Sequence, residues 1–158
     1  MIVSTEFQTP SNVCEFMASF VDYGHILEPT PGIGNLVESL KKVGHVTTPH
    51  NDFWDYYELA KKEEWKFDSV VMNPPFTPVI EGYRYLTACM ELSDKIVALL
   101  PWLILINSEK RMKNLMSFGL THVIHLPRKT FPKSRIQCCI VVLQKGHSCS
   151  TIFDHFTW

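Results

Sequence analysis

A buried-strand candidate over residues 67–72 that stops against two consecutive prolines constrains this chain more than any other feature. Proline has no N–H to give a sheet ladder, so a buried strand ending at Met72 cannot continue through Asn73-Pro74-Pro75-Phe76. The prolines fix the backbone and leave carbonyls to point into a cleft, Asn73 adds a carboxamide acceptor, and Phe76 adds a flat face for stacking. A second junction lies upstream, where the strand candidate His25-Ile26-Leu27-Glu28 runs into Pro29-Thr30-Pro31-Gly32-Ile33-Gly34. Its glycines let the backbone approach a ligand where a Cβ would collide. Taken alone, that pair of glycines also suits a plain strand-to-helix turn.

Helical and extended patterns alternate around these junctions. Thr9 before Pro10 reads as a helix start, with Thr as cap, Pro in the first position, and Val13, Phe16, Met17, Phe20 and Val21 on one face. Asn35 opens a second helix with the stripe Leu36, Val37, Leu40 and Val43, ended by Gly44 in a left-handed position. Residues 45–48 read as a short strand, Thr77-Pro78 as the cap of a helix reaching Leu92, residues 96–100 as a strand and residues 108–118 as a polar helix. Residues 122–126 and 137–144 close the pattern as strands paired antiparallel across a basic loop. This alternation predicts a three-layer α/β sheet, mostly parallel with an antiparallel C-terminal strand. Ligands of such sheets bind beyond the carboxyl ends of the strands, where both proline-rich turns fall.

The 158 residues, 46% hydrophobic and 20% charged, have the make-up of one folded domain and exclude a disordered chain. The longest apolar run, residues 96–106, is broken by Pro101 and falls short of the roughly 20 residues that span a bilayer, so no membrane partner is expected. The start Met1-Ile2-Val3-Ser4-Thr5-Glu6 lacks a secretion leader, and the five cysteines show no Cys-x-x-Cys spacing. A cytoplasmic setting without disulfides or a bound metal is the expectation. Cys138 and Cys139 read as small hydrophobes of the core, and His122 and His125 as residues on opposite faces of a strand.

Charge divides the chain. Residues 1–109 carry seven Lys or Arg against fifteen Asp or Glu, whereas residues 110–158 carry eight against Asp154 alone. A polyanionic partner is one reading of this asymmetry; a surface on which the charges mix in three dimensions is the other. The loop Arg128-Lys129-Thr130-Phe131-Pro132-Lys133-Ser134-Arg135 favours the first, since it combines cations for phosphates with a ring for a base.

In this order along the chain, the motifs resemble those of class I S-adenosylmethionine-dependent methyltransferases, and most those of the N6-adenine nucleic-acid methyltransferases, over nearly its whole length. Thr9-Pro10 and the following helix resemble their N-terminal cofactor motif, and residues 27–36 their cofactor loop. Asn51-Asp52-Phe53 resembles the pair that recognises the cofactor adenine, and Asn73-Pro74-Pro75-Phe76 matches the catalytic tetrad. Residues 123–145 resemble the last two strands and the aromatic loop between them.

The resemblance implies a Rossmann-like catalytic domain over residues 1–158 that transfers methyl from S-adenosylmethionine to the adenine amine of DNA, or less favourably RNA. Asn73, Pro74, Pro75 and Phe76 would be catalytic, the Asn73 carboxamide and Pro74 carbonyl accepting the two N–H bonds of the amine. Thr9, Pro10, Glu28, Pro29, Gly32, Gly34, Asp52, Phe53 and Asn73 would surround the cofactor. Phe76 and, from the opposite side, Phe131 would stack on a base taken out of its helix, with Arg128, Lys129, Lys133 and Arg135 on the phosphates.

Two departures stand out. Val46-Thr47-Thr48-Pro49-His50 holds no acidic residue for the ribose, and residues 48–52 leave no room for the usual helix before the next strand. Trp54, Tyr56, Tyr57 and Trp65 are read as packing that replaces this helix, against the alternative of a stacking platform for unpaired bases. The second departure is that no separate target-recognition domain is expected, so sequence preference is weak or supplied by a protein partner. Two other functions compete: methylation of a protein glutamine amide, as in release-factor methyltransferases with a similar Asn-Pro-Pro-Tyr motif, and a non-catalytic nucleic-acid-binding subunit. The basic C-terminal third opposes the former and the intact tetrad the latter.

Overall fold

The computed structural model describes residues 8–158, so the six N-terminal residues read above for a leader lie outside it. Its elements are α1 (Ser11–Ala18), β1 (His25–Leu27), α2 (Asn35–Lys41), β2 (His45–Thr47), α3 (Phe53–Lys62), β3 (Ser69–Met72) and α4 (Ile80–Met90). Then come β4 (Lys95–Pro101), α5 (Leu103–Ile106), α6 (Glu109–Phe118), β5 (Leu120–His125), a short 3-10 turn (Arg128–Thr130), β6 (Cys138–Gln144) and β7 (Ile152–His155). One sheet runs in the order β2-β1-β3-β4-β6-β5-β7. Strands β1 to β4 are mutually parallel, β6 is antiparallel to both β4 and β5, and β7 returns parallel to β5.

The central strands read as unbroken apolar runs because both of their faces are covered. Val70 and Met72 of β3, Ile96, Ala98 and Leu100 of β4, and Cys139, Val141 and Leu143 of β6 join the core with α3, α4, α5 and α6. Their neighbours Val71, Val97, Leu99, Cys138, Ile140 and Val142 face the other way, into the core with α1 and α2. Cys138 and Cys139 are thus both buried, on opposite faces, and burial pushes the Cys138 thiol up to about 12. Inert thiols of this kind act as packing.

Several expectations are corrected. The helix thought to be missing between the second and third strands exists: α3 starts at Phe53, and its apolar contacts are the aromatic cluster itself, with Phe53 and Tyr57 buried. Asp52 caps it, Oδ1 accepting from the Trp54 N–H at 2.8 Å. A dense aromatic stretch hid the helix because Trp, Tyr and Phe favour strands as readily as helices. Thr9 does not cap α1, whose N-cap is Pro10, and the Thr9 hydroxyl is turned to another partner described below. Gly44 is not among the residues with positive φ; a Cβ there would lie 2.4 Å from the Gly24 carbonyl oxygen, so close passage explains it. Strand β7 was not anticipated, since four exposed residues give no burial pattern to read.

Gly119, between α6 and β5, has φ 136°, and a Cβ there would stand 2.0 Å from the Gln144 carbonyl oxygen. Gly119→Ala therefore combines a forbidden backbone with a collision against β6, and should cost roughly 3 kcal/mol. Urea unfolding of the variant checks this; a midpoint equal to wild type would contradict the close approach.

Candidate functional site

The chain winds from β1 outward to β2 and from β3 in the opposite direction to β4, so strand order reverses at the β1–β3 pair. Both proline-rich turns emerge there and line one cavity of about 440 Å³. Of the residues named from the sequence, Thr9, Glu28, Pro29, Gly32, Asp52, Phe53, Asn73, Pro74, Pro75 and Phe76 line it. Pro10, Gly34, Arg128, Lys129, Phe131, Lys133 and Arg135 are not among its lining residues.

Threonine 30 ties the two turns together. The Thr30 hydroxyl lies 3.2 Å from the Asn73 carbonyl oxygen and 3.2 Å from Glu28 Oε1, and its backbone N–H donates to the same Oε1 at 2.8 Å. Asn73 in turn donates through Nδ2 to the Thr9 hydroxyl at 2.9 Å. The Thr9 carbonyl accepts from Asn35 Nδ2 at 3.2 Å and from the Cys14 thiol at 3.4 Å. Segments far apart in sequence are thereby held at one rim: the approach to α1, the β1 turn, the start of α2 and the β3 turn.

The cavity has an acidic end and an aromatic end. Glu28 is 1% exposed and, among the described residues, no cation contributes to its setting, so burial pushes its carboxyl up to about 8 although the Thr30 hydrogen bonds pull it down. At the other end Phe53 stacks on Tyr85 with ring centroids 4.8 Å apart and planes 23° apart. Burial, and after it the Asp52 carboxylate, raises the Tyr85 hydroxyl, which stays a neutral donor. Of the two turn glycines, Gly34 (φ 95°), outside the lining, has nothing within 4 Å of where a Cβ would be, while at Gly32 (φ 55°), within the lining, a Cβ would lie 2.8 Å from Gln8 Oε1.

Sequence reasoning missed Gln8, Thr30, Asn35, Asn51, Tyr85 and Ile136, which also line the cavity. Thr30 and Asn51 sit beside motif residues and were within reach; Tyr85 lies mid-helix in α4 and is brought in only by packing. Phe131 is 6% exposed and joins the buried cluster that also holds Phe76, so the pair do not face each other across open space. Phe131 anchors its loop, and the four loop cations are exposed. His122 packs on Phe20, and His125 stacks on His155 across β5 and β7.

No family model matches this sequence, and no curated protein matches it. Solved structures match in fold. A modification subunit of a putative type I restriction enzyme from Vibrio vulnificus superposes with a TM-score of 0.74 at 16% identity, over 96% of this chain and 47% of that one. A putative class I S-adenosylmethionine-dependent methyltransferase from Listeria monocytogenes gives 0.70 at 15% identity, over 99% and 68%. The type I restriction-modification methyltransferase subunit from Streptococcus thermophilus gives 0.67 at 17% identity, over 90% and 46%. The chain therefore has the class I S-adenosylmethionine-dependent methyltransferase fold, and spans about half the length of the type I subunits it matches.

The acidic end carries a pH signature. An unfolded chain ionises Glu28 near its ordinary 4.5, whereas the folded protein holds the proton until about 8. Folding thus retains a proton across that window, and wild-type stability is lost as pH rises through it. Glu28→Gln removes the titration, so its melting temperature should gain on wild type as pH rises toward about 8 and then level off. A difference independent of pH would show that Glu28 ionises normally.

Proposed function

We propose that this chain binds S-adenosylmethionine in the cavity and methylates the exocyclic N6 amine of adenine in DNA. The observation that carries the reading is the meeting of Asn73-Pro74-Pro75-Phe76 with the Glu28 turn on one cavity, at the strand-order reversal of a methyltransferase fold. The residues present fit the cofactor. A buried carboxyl that no cation faces among the described residues suits the ammonium of an amino acid, the Phe53–Tyr85 stack suits an adenine ring, and Gly32 leaves that part of the wall without a side chain.

When bound, S-adenosylmethionine supplies a methyl group on a positively charged sulfur. The chain's part is positioning. An adenine amine is a poor nucleophile because its lone pair is delocalised into the ring, and acceptors on its two N–H bonds favour a pyramidal nitrogen whose lone pair is directed. Asn73 and Pro74 are the acceptors in this reading, with Phe76 against the base. Asp52 serves twice, Oδ1 capping α3 and the carboxylate facing the cavity, which compensates for the absence of an acid at the end of β2.

The basic loop beside the site supports a nucleic acid over a protein amide, since a glutamine side chain needs no polyanion-binding surface. Short sequence preference or a partner that supplies recognition accompanies this reading. One structure matching the fold is described in the context of complex assembly of a type I restriction-modification system.

The test is transfer of labelled methyl to single-stranded DNA, duplex DNA, RNA and mixed protein. Label should enter DNA, and Asn73→Ala should reduce transfer on the order of a hundredfold or more with cofactor binding nearly intact. Label in protein would select the glutamine reading, and unchanged transfer in the variant would remove Asn73 from the site. Asp52→Asn separates that residue's two roles, because asparagine caps a helix as well as aspartate does. Its melting temperature should stay within about a degree or two of wild type while cofactor binding weakens several-fold by calorimetry. An unchanged dissociation constant would leave Asp52 only its cap.

A further inference from the structure

The loop between β5 and β6 is a fixed platform. Phe131 and Ser134 are buried, Arg128 Nη1 donates to the Arg135 carbonyl at 3.1 Å, and the Ser134 N–H donates to the Phe131 carbonyl at 2.9 Å. Contacts order its cations into a track that starts at the cavity. Ile136 lines the cavity, Arg135 precedes it, Arg128 is bonded to Arg135, and the adjacent Lys129 places Nζ 5.3 Å from the ring centroid of Trp158. Trp158 is 48% exposed and rests edge-on against Phe156, which packs on Phe16 of α1 at 5.0 Å. An exposed indole is thus propped beside the exposed Lys129, whose loop lies in a stretch with no acidic residue between Lys110 and Phe153.

We infer that this track binds single-stranded DNA, with phosphates along Arg135, Arg128 and Lys129 and an unpaired base stacked on Trp158. The choice of DNA rests on the proposed methyltransferase reading; the choice of strand form rests on the surface. Cations attract either form, but a base offers its face to an indole only when it is unstacked from a duplex. Reading a duplex through its major groove takes an α-helix or a two-stranded ribbon, and this loop carries only the three-residue 3-10 turn Arg128–Thr130. A strand crossing the loop would reach the cavity mouth at Ile136, which places an adjoining base for capture there.

Anisotropy of a short labelled oligonucleotide, as single-stranded DNA, as duplex and as RNA of the same sequence, tests this without cofactor. Single-stranded DNA should bind most tightly. Trp158→Ala should weaken that binding about tenfold and leave duplex binding nearly unchanged, and Trp158→Phe should restore most of the loss. Combined Arg128→Gln and Arg135→Gln should flatten the slope of log affinity against log salt by about 1.4. Equal or tighter duplex binding, or no effect of Trp158→Ala, would overturn the track, and tighter RNA binding would overturn its assignment to DNA. Calorimetry with S-adenosylmethionine on the same preparations keeps the two proposals apart: a protein that prefers single strands yet binds no cofactor loses the methyltransferase reading and keeps the track.

Discussion

Burial of β3, β4 and β6 on both faces is the constraint from which the rest of the structure follows. A strand covered on both sides has no polar edge residues to spare, so its chemistry must be placed where it stops. Pro74 and Pro75 impose that stop on β3, and the Pro29-Thr30-Pro31 segment does the same just past β1. The neighbouring strand ends then converge, and the Thr30 hydroxyl spans the gap to the Asn73 carbonyl.

The rim so formed is electrostatically divided. Glu28 is buried with no cation beside it among the described residues, a costly arrangement that a positively charged ligand would relieve. The aromatic end made by Phe53 and Tyr85 asks for a flat apolar ring. Beyond the cavity the sign of the surface reverses: Arg128, Lys129, Lys133 and Arg135 stand exposed on a loop whose last neighbour, Ile136, belongs to the cavity wall. In the proposed reading a cationic ligand inside and a polyanion outside would meet within one small region, with Phe76 in the cavity wall.

Much of this site was legible from residue order. Glu28 and Asn73 stand at turns that follow strand candidates, Asp52 was named from the resemblance of Asn51-Asp52-Phe53 to a cofactor-adenine motif, and all three line the cavity. The errors share a physical origin. Trp54, Tyr56, Tyr57 and Trp65 were taken as packing in place of a helix because single aromatic residues carry little helical preference; burial of Phe53 and Tyr57 against the core makes the stretch a helix. Phe131 was placed on the substrate because it stands among cations, yet in such a loop the largest apolar side chain is the one that goes inside. Trp158 was passed over because the residues before it carry no periodic pattern.

Local sequence by itself determined where strands end, where the glycines fall, and that positive charge gathers in the C-terminal third, because prolines, glycines and charges act through backbone geometry and composition. Only the tertiary structure decided which of these features touch. Tyr85 reaches the cavity from the middle of α4, Thr9 meets Asn73 across 64 positions, and Lys129 lies over Trp158. Such contacts depend on strand order and on which helix face packs inward, and those are settled by burying both sheet faces at once, a condition that no local stretch of sequence contains.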